Sequence, residues 1–234
     1  MPASQTAPDF RHVETWVFDL DNTLYPASCD LFAQIDVRMR QFLARYFDCS
    51  EEKARVIQKT YYQDHGTTLS GMMKLHALEP GPYMDFVHDI DLSVVPPNPV
   101  LAESLKRLPG RKVIFTNAST THAERVMKRL GVAEHFDDII DIAAADYVPK
   151  PDRHAFNALV TRCAMRPAAA AMFEDIARNL VIAAELGMTT VWLRNDSAWS
   201  KQGPEWPKAS AEHIHYEADD LGAFLMRLRV KEKQ

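Results

Sequence analysis

Cysteine is scarce in this chain. Cys29, Cys49 and Cys163 are the only three in 234 residues, and they lie far apart. Paired thiols for zinc or redox work are therefore excluded, and Cys29 and Cys163 read as buried packing. No stretch approaches the roughly 18 uninterrupted apolar residues that a membrane helix needs, which argues against a membrane partner. Residues Met1 to Phe10 hold neither a basic cluster nor an apolar block, so no signal peptide is expected. Lysine and arginine tracts are missing too, and the net charge is −5. Such a surface is a poor match for a nucleic-acid polymer. Internal repeats and low-complexity segments are absent. With 47% hydrophobic and 25% charged residues, wholesale disorder is excluded as well. These exclusions predict a soluble, cytoplasmic protein with one domain carrying a large insert, or two small domains.

What is present has a rhythm. Five short apolar runs stand out: Trp16–Phe18, Val113–Phe115, Ile139–Ile142, Ala170–Phe173 and Thr190–Leu193. The first two and the last are nearly continuous and rich in β-branched or aromatic residues, as strands buried on both faces should be. The alanines of the fourth favour helix, which makes it the weakest strand. Helical patterns fall between the runs, at Pro99–Leu108, Thr121–Leu130, Asp152–Met165 and Ala177–Leu186. Gly131 and Gly187 stop two of them, and Asp152 offers a cap. Alternating strand and helix predict an α/β fold, a Rossmann-like doubly wound parallel sheet. Ligands of such sheets bind beyond the carboxyl ends of the strands.

Residues 27–95 break the rhythm. Phe32, Ile35, Met39, Phe42, Leu43 and Tyr46 recur at helical spacing, a second helix starts at Ser50, and Met72 to Leu78 suggest a third. An all-helical insert of roughly 70 residues is expected between the first two strands. Residues 1–26 and 96–234 would then form the core.

Chemistry-bearing residues gather where the strands end. The first strand runs into Asp19-Leu20-Asp21-Asn22-Thr23. Two carboxylates two positions apart repel each other unless a cation neutralises them, and Mg2+ prefers such oxygen ligands. Read blandly, the same residues simply make the turn. The second strand ends in Thr116-Asn117, a hydroxyl and backbone amides suited to phosphoryl oxygens, although both residues also cap helices. Lys150 follows the third strand. Glu174-Asp175 end the fourth, with Asn179 one helical turn on. A surface lysine and an acidic pair at a helix start are each ordinary. Together, four successive strand ends place all of them in one crevice.

The order Asp-x-Asp-x-Thr, Thr, Lys-Pro and Glu-Asp resembles the haloacid dehalogenase superfamily of hydrolases, and the helical insert falls where that superfamily carries a cap domain. The segments Gly66–Gly71, Phe86–Asp89 and Phe173–Leu180 look like its pyrimidine 5'-nucleotidase branch. The resemblance implies Asp19 as the nucleophile forming an aspartyl-phosphate, and Asp21 as the acid that protonates the leaving alkoxide and then activates water. Asp19, the backbone carbonyl of Asp21 and the carboxylate of Asp175 would hold Mg2+. Lys150 and Thr116 would neutralise and bind the transferring oxygens, with an amide contact from Asn117. Glu174 is a further ligand or a neighbour of the metal site, and Asn179 stands behind it.

Asp21 speaks against the dehalogenases of this superfamily, which lack an acid there: a departing halide needs no proton. The implied activity is hydrolysis of a small-molecule phosphomonoester, first a nucleoside 5'-monophosphate. A phosphoglycolate- or sugar-phosphate-type substrate is the runner-up, and a non-catalytic binding protein the reading from another class. Thr67, Thr68 and His88 are the candidate substrate contacts of the insert, against the plainer reading that they cap helices or pack. The segment Trp199–Trp206 leaves the same edge of the sheet, and its tryptophans either stack on a base or cover the edge. His213 and His215, alternating along an expected final strand, read as structural.

Overall fold

The computed structural model describes residues 7–195 and 211–232. The segment Trp199–Trp206 lies outside them. The chain opens with β1 (Thr15–Phe18) and then forms four helices, α1 (Leu31–Tyr46), α2 (Glu51–His65), α3 (Thr68–His76) and α4 (Pro80–Val87). It returns through α5 (Pro99–Arg107), β2 (Arg111–Phe115), α6 (Thr120–Leu130) and β3 (Asp138–Ile140). There follow α7 (Arg153–Cys163), β4 (Ala170–Glu174), α8 (Leu180–Glu185), β5 (Thr189–Leu193), β6 (Tyr216–Ala218) and α9 (Leu221–Met226). The strands pair in the order β3-β2-β1-β4-β5-β6, all parallel. No helix among the described residues is long and apolar enough to cross a membrane.

Period-two alternation explains why the strand runs are apolar throughout. Trp16, Phe18, Ile114, Ala171 and Phe173 join one buried cluster with Leu105 of α5, Val126 of α6 and Phe224 of α9. Val17, Val113, Phe115, Ala170 and Met172 turn to the other face and pack with Phe156 and Leu159 of α7 and Ala183 of α8. The alanine-rich run proves to be a central strand, hydrogen-bonded between β1 and β5. There its small side chains are fully buried, and sheet pairing overrides helix propensity. Gly110, just before β2, cannot carry a side chain: its φ is +80°, and a Cβ there would meet the Glu14 carbonyl oxygen at 2.3 Å.

Several boundaries differ from expectation. The third strand ends at Ile140, and Ile142 instead packs with the inserted helices, beside Ile35, Leu69, Tyr83, Met84 and Val87. The expected Ala177–Leu186 helix is a 3-10 turn at Ala177–Asn179 followed by α8. The last strand begins at Tyr216, beyond both histidines; His215 accepts from the Thr190 backbone N–H through Nδ1, and Nε2 of His213 hydrogen-bonds the Ala177 carbonyl. Helix α4 carries two prolines, which hides it in the sequence. Pro80 and Pro82 sit in its first turn, where backbone N–H groups have no helical partner to lose.

Candidate active site

Strand register brings the first and fourth motifs together. Phe18 pairs with Phe173 across β1 and β4, so Asp19 and Glu174 leave adjacent strand ends at one level. Asp19, Glu174 and Asp175 offer carboxylate oxygens within 4.8 Å of one another, all buried. Lys150, brought in after β3, places its ammonium 2.7 Å from Asp19 Oδ1, 2.8 Å from Glu174 Oε2 and 2.8 Å from the Phe115 carbonyl. Thr23 donates its hydroxyl to Asp19 Oδ2 at 3.0 Å. Three carboxylates against one ammonium leave two formal negative charges enclosed.

Charge and burial show in the proton affinities. Burial, then the neighbouring charge of Glu174, pushes the Asp19 carboxyl up to about 7 despite Lys150. Burial with Glu174 and Asp19 holds Asp175 well above the usual carboxylate range. Desolvation alone would push the Lys150 ammonium down, but Asp19 and Glu174 outweigh it and hold it above its ordinary value. An all-oxygen donor set with two surplus negative charges fits a hard divalent cation such as Mg2+. Asp175 is steadied by Asn195, which donates to Oδ2 at 3.0 Å, while Trp192 donates to its backbone carbonyl at 2.9 Å. Glu174 Oε1 accepts from the Ile176 backbone N–H. Asn179 is buried close by, its Oδ1 without a hydrogen-bond partner among the described residues.

The Thr116 hydroxyl oxygen accepts from the Ala118 backbone N–H at 3.0 Å, which leaves its own hydrogen to donate. Asn117 spends its side-chain oxygen on the Lys150 backbone N–H, 2.9 Å away, and so ties the lysine loop to the end of β2. Its amide hydrogens are the part that can face a ligand.

Asp21 stands apart from the three-carboxylate group. Its Oδ1 accepts from the Tyr25 hydroxyl at 2.6 Å and meets His122 Nε2 at 3.0 Å. Burial pushes its carboxyl up, but the His122 contact and the Tyr25 hydrogen bond prevail, and it lies below its ordinary value. Sequence reasoning missed both partners. His122 lies on the face of α6 that also buries Val126 and Leu130, where a histidine signals a specific polar partner. Tyr25 follows Asp21 by four residues, a spacing visible in the sequence.

A cavity of about 140 Å³ joins the strand ends to the inserted helices. All the candidate residues read from the sequence line it. Its far wall is apolar and aromatic, with Phe32, Met39, Tyr62, Tyr83 and Val87. Thr67 lines the cavity but also caps α3, accepting from the Ser70 backbone N–H at 3.0 Å. Thr68 is buried, 3.5 Å from the Gln58 carbonyl. Burial and the neighbouring His122 push His88 down to about 3, so its ring is neutral near pH 7. Arg178, after β4, donates to the Tyr62 hydroxyl of α2 and closes one side.

Comparison with known proteins agrees with this architecture. A family model described as a haloacid dehalogenase-like hydrolase matches residues 13–187. "Phosphate metabolism protein 8" of Saccharomyces cerevisiae is 28% identical over 195 residues, 75% of this chain. The chain spans 60% of that relative's length in the match. Among solved structures, the L-2-haloacid dehalogenase of Xanthobacter autotrophicus superposes with a TM-score of 0.56 at 14% identity, over 92% of this chain and 97% of that one. A HAD phosphatase from Thermococcus onnurineus gives a TM-score of 0.56 at 18% identity, over 88% and 93% of the two chains. At such identities these likenesses speak for the fold alone.

Proposed function

The chain belongs to the haloacid dehalogenase-like hydrolase family, and from that membership we propose a Mg2+-dependent phosphomonoester hydrolase acting through an aspartyl-phosphate. Residues 27–95 serve as its cap and the remainder as its catalytic core. Both dehalogenases and phosphatases share this fold, so the fold does not choose between them. The observation that carries the choice is Asp21, a carboxyl lining the cavity beside Asp19 with one oxygen free of protein donors among the described residues. A departing alkoxide needs a proton donor there; a departing halide does not.

In this reading Asp19 attacks the phosphorus while Asp21 gives a proton to the leaving oxygen, and the enzyme that reacts is the fraction carrying that proton against the pull of His122 and Tyr25. Asp21, now ionised, takes a proton from the water that cleaves the aspartyl-phosphate and frees Asp19. Lys150 and the Thr116 hydroxyl bind the transferring oxygens, and Lys150 also keeps Asp19 oriented. Asp19, the Asp21 backbone carbonyl and Asp175 would hold Mg2+, with Glu174 beside them and Asn179 behind. The cation, when bound, supplies positive charge that offsets the carboxylates and stabilises charge developing on the phosphoryl group.

The substrate we favour is a nucleoside 5'-monophosphate. The aromatic and apolar wall formed by Phe32, Tyr62 and Tyr83 suits a base ring better than the second carboxylate of a phosphoglycolate-type substrate. Thr67, Thr68 and His88 are the polar groups of the cap available to that ligand. Phosphate release from a panel of nucleotide, sugar and phosphoglycolate-type monophosphates, with Mg2+ and with chelator, tests the proposal. Chelator-sensitive release favouring nucleotides supports it, and preference for another ester keeps the mechanism while replacing the substrate. Absence of release from a folded protein overturns the hydrolase assignment in favour of a binding role.

A further inference from the structure

Helix α6 turns a single continuous face inward, and on it His122 is completely enclosed, together with Ala123, Val126 and Leu130. A buried imidazole needs a polar partner. His122 has one among the described residues: Nε2 lies 3.0 Å from Asp21 Oδ1, while Nδ1 has none. The Tyr25 hydroxyl donates to that same Oδ1 at 2.6 Å. Asp21 Oδ1 is thus held by the Tyr25 hydroxyl and, in the tautomer that carries its hydrogen on Nε2, by His122 as a second donor, while Oδ2 has no protein partner among the described residues. An oxygen that already receives two hydrogen bonds is a poor seat for a proton, so the transferable proton belongs on Oδ2.

A second ring completes the stack. His88, at the C-terminal end of α4, lies over His122 with the ring centroids 4.3 Å apart and the planes 15° from parallel. Its Nδ1 meets the Ser119 hydroxyl at 3.1 Å, and its backbone carbonyl accepts from Arg125 at 2.8 Å. Both partners belong to the start or body of α6. The residue that caps the C-terminus of α4 is therefore seated directly on the ring that holds Asp21.

We infer that His122 is a positioning residue for proton transfer, orienting Asp21 with Tyr25 so that Oδ2 meets the leaving oxygen, and that His88 stacked above fixes the His122 ring in place. The inference rests on the phosphatase reading. In the first half-reaction the Oδ2–H bond breaks as the P–O bond to the leaving group breaks, and the proton goes to that oxygen. In the second, the Asp21 carboxylate takes a proton from water as the water oxygen bonds phosphorus and the bond to Asp19 breaks. His122 changes no bond in either step. In the first half-reaction its effect is confined to leaving groups that need a proton, whereas in the second it is common to every ester.

The test compares kcat/KM, which reports on the first half-reaction, for an alkyl monophosphate such as a nucleoside 5'-monophosphate or glycerol phosphate with kcat/KM for p-nitrophenyl phosphate. The ratio of the two is internal to each protein, so partial loss of folded enzyme cancels. Wild type, His122→Ala, His122→Gln and His88→Leu are assayed side by side. His122→Ala is expected to lower the alkyl-to-aryl ratio at least about tenfold, within the 10²- to 10⁴-fold span of acid–base catalysis, with KM little changed. The amide of His122→Gln restores an N–H toward Asp21 and recovers part of the ratio, and His88→Leu gives a smaller drop of the same kind. Equal losses on both esters, or identical behaviour of the Ala and Gln variants, would overturn the inference while the hydrolase reading stands. A wild type inactive on both esters overturns the hydrolase reading, and this inference with it.

Discussion

The ammonium of Lys150 lies 2.7 Å from Oδ1 of Asp19, and both side chains are almost wholly enclosed. Among the described residues, the lysine is the one cation paired with the three-carboxylate cluster, through Asp19 and Glu174. Breaking a buried pair by deleting one partner typically costs about 3–5 kcal/mol, because the survivor keeps an uncompensated charge. Lys150→Met is therefore expected to lower Tm by roughly 10 °C in chelator and to abolish phosphate release. An unchanged Tm would show that the carboxylates are neutralised by other means.

Proton linkage predicts an opposite pair of trends for metal-free and metal-bound protein. The Asp19 carboxyl is raised from 3.8 to about 7, so folding favours its protonated form. Its contribution to stability is fully present below the unfolded value of 3.8 and is lost as pH rises through about 7. Asp175 shifts in the same direction. Between about pH 4 and 7 these two groups should make the chelated protein less stable as pH rises, while added Mg2+ restores Tm by an increment that grows over the same window. At saturation near 100 times Kd the restored stability is about 2.7 kcal/mol, several degrees in Tm. Calorimetry at four pH values checks this, and an increment that shrinks with pH contradicts it.

Asp19→Asn removes one of the three clustered carboxylates at nearly constant shape. Phosphate release should vanish on every ester, and the rise in Tm caused by Mg2+ should shrink. Residual turnover at a wild-type rate would place the nucleophile elsewhere.

Asp21→Asn separates acid catalysis from binding. In kcat/KM, which reports formation of the aspartyl-phosphate, hydrolysis of an alkyl monophosphate should fall by about 10²- to 10⁴-fold, with a much smaller loss on p-nitrophenyl phosphate, whose leaving group departs without a proton. Parallel losses on the two would remove Asp21 from the acid's role.

Far from the site, Gly110→Ala tests the entry to β2. Both its φ of +80° and the 2.3 Å approach to the Glu14 carbonyl oppose a side chain. A loss of more than about 1 kcal/mol is expected, seen as a fall in Tm of a few degrees without change in KM.

The sheet and the acidic motifs could be read from sequence because each is local. A buried strand shows itself in three or four apolar residues, and Asp19-Leu20-Asp21 or Glu174-Asp175 need no partner to be noticed. What stayed hidden depends on geometry between elements. His122 looks like any polar residue of α6 until the helix is laid against Asp21, 101 positions earlier. Asn117 suggested a ligand contact, yet its side-chain oxygen is committed to the Lys150 backbone, a pairing no spacing could announce. Ala170 and Ala171 pointed weakly to strand because propensity belongs to the residue, whereas their place beside β1 belongs to the whole sheet.

The strand order has a consequence for how the molecule is made. Strand β1 is translated roughly 150 residues before its neighbour β4, some eight to thirty seconds at 5–20 residues per second. Until Ala170–Glu174 has been added, one edge of a buried, mostly apolar strand stays unpaired, and the carboxylates of Asp19 and Asp175 cannot meet. The nascent chain therefore passes through a long interval in which it is adhesive and its site is unassembled, and the arrival of β4 ends both conditions with the same strand.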